Sequence, residues 1–386
     1  MAKRIWWQKP QIRTDEEQQL HRKVSWLELF FDLIFVVIIA ELSHNLAVDV
    51  SWVGAGKYIL LFLPAWWIWI GATYYNERFE TEGIENRLFT FLLILAVAGL
   101  AVFSHHGLGE TSVGFALSYV FARSIVTFLW WRAGYHAPSF RPTAKRFVTG
   151  SSISIAFFIL SVFVPAPTGF ILWAIGLFID VNTPIFTLKH QAKLPKFSSS
   201  RLPERYGLFM IIVLGEAVVS VVQGLAGKEH LSLIDGITGI LGMTLTFGIW
   251  WIYFDFVARR PPKPATGWVF AWGYLHMPLV MSVTATAAGI NNAIASTATV
   301  LPLNVRCLIC GSLAISLAVI SLLETTLRRD EDEPAHPIWS PALKLAAAVV
   351  ALILAVFGGL GAIALLSLLV ILLAIQMSYG LWVWFR

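Results

Sequence analysis

Residues 24–47 read VSWLELFFDLIFVVIIAELSHNLA. A helix needs about 20 apolar residues to cross about 30 Å of hydrocarbon, and this run is long enough to do so. It exceeds the apolar core of a secretory signal, about 7–15 residues, and has no small-residue cleavage site. The expectation is therefore a retained first membrane helix. That helix nevertheless carries Glu28, Asp32 and Glu41. A charge at mid-bilayer costs about 2.5–3.5 kcal/mol on insertion scales, so it persists only where it is paired, protonated or facing water.

The rest of the chain repeats the pattern. Of 386 residues, 57% are hydrophobic and only 13% charged, against about 25% charged in soluble domains. Surface of that composition excludes an ordinary soluble protein. Spans are expected near 25–46, 54–75, 88–106, 113–132, 147–164, 168–188, 206–226, 234–257, 268–290, 305–325, 341–358 and 361–383. Residues 341–383 would run about 65 Å as one helix, so Gly358, Gly359 and Gly361 mark a turn. Pro165, Pro167 and Gly169 divide the stretch before it in the same way. The fold class is an all-α polytopic membrane protein with about twelve transmembrane helices.

Basic residues orient it. With the N-terminus inside, alternate loops on the cytoplasmic side hold all of the 28 lysines and arginines except Lys57, Lys228, Arg123 and Arg306. This is the positive-inside pattern, and it places both termini in the cytoplasm. The net charge of +5 is read the same way, with no nucleic-acid partner. Thr14-Asp15-Glu16-Glu17 predicts a capping box opening a short polar helix. The expected divisions are a cytoplasmic segment 1–24, a first six-helix half 25–188, a linker 189–205 and a second half 206–386. Glu28 and Glu41 against Glu204 and Glu216, Trp66-Trp67 against Trp250-Trp251, and Arg123 against Arg306 imply two parallel six-helix repeats.

Chemistry is sought among the ionisable residues within spans. Asp32 falls about 10 Å in from the cytoplasmic edge and Glu216 about 15 Å. Arg123, Asp180 and His276 fall near mid-depth, and Glu28 and Asp255 near the inner interface. Glu28 and Asp32 are four residues apart and share one helix face. Two such carboxylates cannot both ionise cheaply in a low dielectric, which would make a proton-binding site. The alternative is that Glu28 sits among headgroups and Asp32 pairs with an arginine or caps another helix end. Arg123 needs an anion, with Asp32, Asp180 and Glu216 as candidates. Pro184 leaves the carbonyl of Asp180 without its helical donor, either as a transport-type helix break or as a simple kink. His276 is a titratable group or hydrogen-bonded packing. Cys307 and Cys310 lie in an apolar span without a redox-fold context. No nucleotide-binding or hydrolase motif occurs, and no metal or cofactor is expected.

Several blocks resemble the bacterial low temperature requirement A family. They are Glu28-Leu-Phe30-Phe31-Asp32-Leu-Ile-Phe35-Val36, Glu204-Arg205-Tyr206-Gly207-Leu208, Gly215-Glu216, Trp250-Trp251-x-Tyr253-Phe254-Asp255 and Tyr274-x-His276-x-Pro278. They run in order over residues 26–280. Many members carry a histidine three residues before the Glu-Arg pair, where this chain has Arg201. The resemblance implies a polytopic protein of the bacterial plasma membrane and supplies no activity. A shorter likeness, Phe31-Asp32, is to potassium channels built from six-helix repeats, though their signature serine is absent. The expectation is a secondary transporter or ion- or proton-conducting protein. Glu28, Asp32, Arg123, Asp180, Glu204, Arg205, Glu216, Asp255 and His276 would line its path. Its partners would be the lipid bilayer and a small ion or molecule, with homo-oligomers open. The alternatives are a membrane enzyme acting on lipid or another hydrophobic substrate, and a non-transporting sensor or assembly protein.

Overall fold

The computed structural model describes residues 6–14, 24–79, 83–329 and 333–385. Among them the regular structure is helical, apart from two isolated bridges, Ile12 with Phe79 and Pro262 with Leu327. Twelve long helices follow one another: α1 Trp26–Val48, α2 Trp52–Arg78, α3 Ile84–Ser104, α4 Ser112–His136, α5 Arg141–Ser161, α6 Thr168–Asn182, α7 Arg201–Ala226, α8 Leu233–Tyr253, α9 Thr266–Ala295, α10 Leu303–Thr326, α11 Trp339–Phe357 and α12 Ala362–Trp384. With α6 counted on to Gln191 and α8 to Ala258, nine among the described residues are long and apolar enough to cross a membrane. The other three, α1, α5 and α9, carry polar residues: carboxylates on α1, serines and threonines on α5, and hydroxyls, asparagines and His276 on α9. Phe163, Phe178 and Phe357 are 79%, 70% and 82% exposed, which suits lipid as solvent and not water.

Local chemistry explains the boundaries. The Ser232 hydroxyl accepts from the Asp235 N–H, and the Asp235 carboxylate accepts from the Ser232 N–H in return. This reciprocal cap satisfies two orphan donors at the start of α8. The turn expected at Gly358–Gly361 separates α11 from α12, and Gly359 takes φ +50°, a left-handed conformation that a side chain would oppose. The break expected at Pro165 and Pro167 lies between α5 and α6.

Two expectations need correction. The sixth span is not α-helical to residue 188: α6 stops at Asn182, and Thr183–Thr187 forms a 3₁₀ turn. Pro184 enforces this, but the Asp180 carbonyl is not left open, because the Thr183 N–H takes it. The seventh helix begins at Arg201, not 206, which draws two supposed loop arginines inside. The helix expected at Thr14-Asp15-Glu16-Glu17 lies largely outside the described residues.

The chain divides into two compact units. The first comprises Met1–Leu42, Ile59–Arg205 and Pro264–Gly267. Within it α3 packs on α4, α4 on α5 and α5 on α6. The second comprises Ser43–Tyr58, Tyr206–Lys263 and Trp268–Arg386. There α10 packs on α11, α8 on α12 and α11 on α12.

Candidate functional site

The first unit holds a row of charged side chains that alternate in sign. The Arg201 Nη2 reaches both Glu28 carboxylate oxygens at 2.7 and 2.8 Å. Arg205 donates from Nη1 to Glu28 at 2.9 Å and from Nη2 to Asp32 at 3.1 Å. Arg201 also approaches Glu77 at 3.3 Å, and Glu77 accepts the Ser198 N–H at 2.7 Å. All five are buried, with Asp32 fully so. Glu28 meets Arg201 while Asp32 meets Arg205, so both i, i+4 pairs step the same way. The first turn of α7 therefore runs in the same sense as α1.

Three carboxylates and two arginines would leave the row short of positive charge. Arg13 and Arg78 both act electrostatically on the Glu77 carboxylate, and Arg13 donates to the Glu77 carbonyl. Compensation matters, because unpaired buried charge costs several kcal/mol per ion after relaxation, as an order of magnitude. Asp32 completes the row. Its Oδ1 accepts from the Trp69 indole N–H at 2.8 Å as well as from Arg205, whereas its Oδ2 is buried with no partner. Beside Glu28 a crevice of about 10 Å³ opens among Asn76, Asn86 and Thr90. That is close to the smallest space that holds one water.

A second network occupies the same unit. Arg123 Nε and Nη2 form a two-pronged pair with Asp180, both at 2.6 Å. The Ser151 hydroxyl links them, accepting from Arg123 at 2.8 Å and donating to Asp180 at 3.2 Å. Tyr119 stands 3.4 Å from the other Asp180 oxygen. This geometry ties α4, α5 and α6 together. Of the three anions open to Arg123, Asp180 is one that it meets. Trp69 of α2 touches the first network and Gly71 abuts Arg123. Two residues turn a helix by about 200°, so the networks flank α2 on opposite faces.

The remaining expected residues lie elsewhere. Glu204 is half-buried in the first unit, with one carboxylate oxygen sealed and unpartnered. In the second unit, Glu216 is half-buried on α7. Asp255 follows α8 in a π-helical turn and is paired locally, with the Trp251 indole at 2.6 Å and Arg259 at 3.1 Å. His276 is wholly buried. Its Nδ1 faces the Trp272 carbonyl at 2.8 Å and its Nε2 the Tyr253 hydroxyl at 3.0 Å. A carbonyl can only accept, so Nδ1 donates to Trp272. Among the described residues no three histidine, cysteine or acidic side chains converge as a metal site.

Three residues of the first network, Glu28, Asp32 and Arg205, come from the Glu28-to-Val36 and Glu204-Arg205 blocks. The model of the bacterial low temperature requirement A protein (LtrA) matches residues 23–377. The chain belongs to the bacterial low temperature requirement A family. The uncharacterized protein RA0937 of Rhizobium meliloti (strain 1021) is 28% identical over 289 residues, covering 69% of this chain and 68% of that one. No solved structure matches. In this LtrA-family chain Arg201 is the residue that joins Glu28 to Glu77.

Sequence reasoning overlooked several members of this network. Arg201 falls in the expected linker 189–205, and Glu77 and Trp69 drew no reading. The i, i+4 spacing of Arg201 and Arg205, matching that of Glu28 and Asp32, was the available signal. In the second unit Lys344, counted among loop charges, is wholly buried. It lies 2.7 Å from Glu324 and 3.0 Å from the Ser340 hydroxyl, with Phe256 beneath its ammonium at 3.6 Å.

Proposed function

We propose that this protein is a secondary transporter or an ion- or proton-conducting protein of the bacterial plasma membrane, with both termini cytoplasmic. Its working element is the row Asp32–Arg205–Glu28–Arg201–Glu77. The observation carrying this reading is Asp32 Oδ2, a sealed carboxylate oxygen without a partner. A buried anion with spare lone pairs is costly, and a proton or small cation at that oxygen removes the cost. Occupancy there loosens the hold of Asp32 on Arg205, whose other nitrogen is already committed to Glu28. The crevice beside Glu28 supports exchange with water at the far side of the same pair. A charge change at one end thus shifts the arginines along the row, the kind of local event that biases a two-state element.

The test is flux in proteoliposomes with protons, sodium and potassium as separate probes. Asp32→Asn keeps an oxygen for Trp69 and Arg205 but loses the charge and the titrating site. The expected result is flux above that of protein-free vesicles in the parent and its loss in the variant, with unchanged elution and helicity. Equal flux in parent and variant, or none above empty vesicles for all three ions, would sink the proposal. A second reading, a sensor or assembly protein whose charges are interhelical glue, is favoured by the closed Arg123–Asp180 pair. It expects the Asp32→Asn exchange to leave every flux unchanged.

A further inference from the structure

We infer that the seam between α5 and α6 binds one acidic phospholipid by its headgroup and upper acyl chains. A cavity of about 740 Å³ runs along it. That lies within the range of about 300–1,000 Å³ typical of small-ligand sites and takes part of a lipid.

Its lining is graded from end to end. At one end stand Lys145, Arg146 and His190; towards the other the walls become Ile153 and Phe178, with Phe186 between. On α5 these positions recur at helical spacing, so they form one face. Among the described residues no acidic side chain lines the cavity. Phe178 and Phe186 are both 70% exposed, presenting apolar surface to the hydrocarbon beside them. A cationic head above an apolar cleft between membrane helices is complementary to an anionic lipid, and a soluble anion would leave the apolar part uncovered.

The basic end is built, not incidental. Arg146 Nη1 donates to the Phe186 carbonyl and stands 3.0 Å from His190 Nδ1, which fixes the guanidinium over the cleft. The Phe186 carbonyl belongs to the 3₁₀ turn that Pro184 starts. Thr149 and Asn182, also in the lining, each donate to a carbonyl of their own helix. Lys145 and the remaining guanidinium N–H groups are left to contact a phosphate.

The experiment uses the full chain, purified and delipidated in neutral detergent. Thermal midpoint and lipid retention in native mass spectrometry are compared for phosphatidylglycerol, phosphatidylcholine and inorganic phosphate. Phosphatidylglycerol should raise the midpoint and be retained as one molecule, with phosphatidylcholine much weaker and phosphate alone without effect. Near a membrane surface each basic residue contributes about fivefold in affinity for acidic lipid. Lys145→Gln, which leaves the Arg146 contacts intact, should cost about fivefold, and K145Q/R146Q about 10- to 30-fold. Equal response to both lipids, full competition by inorganic phosphate, or undiminished preference in the Lys145→Gln protein would each overturn the proposal.

Discussion

Arg205 lies 3.1 Å from Asp32, although 173 residues separate them in the chain. The same guanidinium reaches Glu28 at 2.9 Å, so one planar cation serves two carboxylates a helical turn apart. Lysine could not do this, because a single ammonium lacks the fork that spans both.

Removing that cation leaves two anions partly stranded. Arg205→Gln should cost about 3–5 kcal/mol, the range for breaking a buried pair from one side. Arg205→Lys should recover only part of the loss. The combined Asp32→Asn and Arg205→Gln protein should be less destabilised than the two single changes added together, since residues in one network couple. Thermal midpoints in detergent for the four proteins of the cycle give the coupling, and simple additivity would remove the pairing as a structural element.

Arg123 and Asp180 invite the opposite exchange. Ser151 and Tyr119, which join them, lie within the first unit, and no carboxylate oxygen of Asp180 is among the sealed, unpartnered atoms. Either Arg123→Met or Asp180→Leu alone should lose about 3–5 kcal/mol. The paired replacement by apolar residues should regain most of it, as a well-packed hydrophobic pair often matches a buried ion pair. The readout is again the unfolding midpoint, alongside flux. A folded R123M/D180L protein with parental flux assigns this pair to structure and separates it from Asp32.

The helices were legible because hydropathy and the spacing of basic residues are local properties, and the breaks at Pro165, Pro167 and Gly358–Gly361 announce themselves chemically. What a charge does was not legible. Arg201 and Arg205 follow a polar stretch and Lys344 comes at the start of an expected span, so counting assigned all three to the cytoplasmic side, while their buried partners Glu28, Asp32 and Glu324 are supplied by other helices. The partner of Arg123 was one of three candidates until α6 placed Asp180 against it. His276 was also open on sequence, and its contacts with the Trp272 carbonyl and the Tyr253 hydroxyl are made only by the fold.

Lys344 makes a prediction in the second unit. Its ammonium is fully enclosed, with Glu324, Ser340 and the Phe256 ring around it. Lys344→Met keeps the stem but strands Glu324, whose other cation, Arg260, is 4.0 Å away. The expected cost is about 3–5 kcal/mol. Adding Glu324→Gln should return a good part of it, because the amide can still accept from the Ser340 hydroxyl that now meets Glu324 at 2.7 Å. Failure of the second change to help would mean that Glu324 is not the group that suffers.

Glycines give the sharpest contrast between crowding and freedom. A Cβ added to Gly150 on α5 would fall 2.0 Å from the Thr183 hydroxyl oxygen and 3.0 Å from its Cβ, so α5 and α6 would have to separate. Gly150→Ala should therefore cost about 1–3 kcal/mol as overpacking, and Thr183→Ala in the same protein should restore part of it. On α10, a Cβ at Gly311 would meet nothing within 4 Å, and the backbone there is ordinary helix. Gly311→Ala should stabilise by about 0.4–1 kcal/mol, through the smaller entropy lost on folding. Both changes add one methyl group to a helix, so opposite shifts in the unfolding midpoint isolate the contact with Thr183 as the cause. A loss at Gly311 equal to that at Gly150 would mean that the close approach of α5 and α6 is not what the first substitution disturbs.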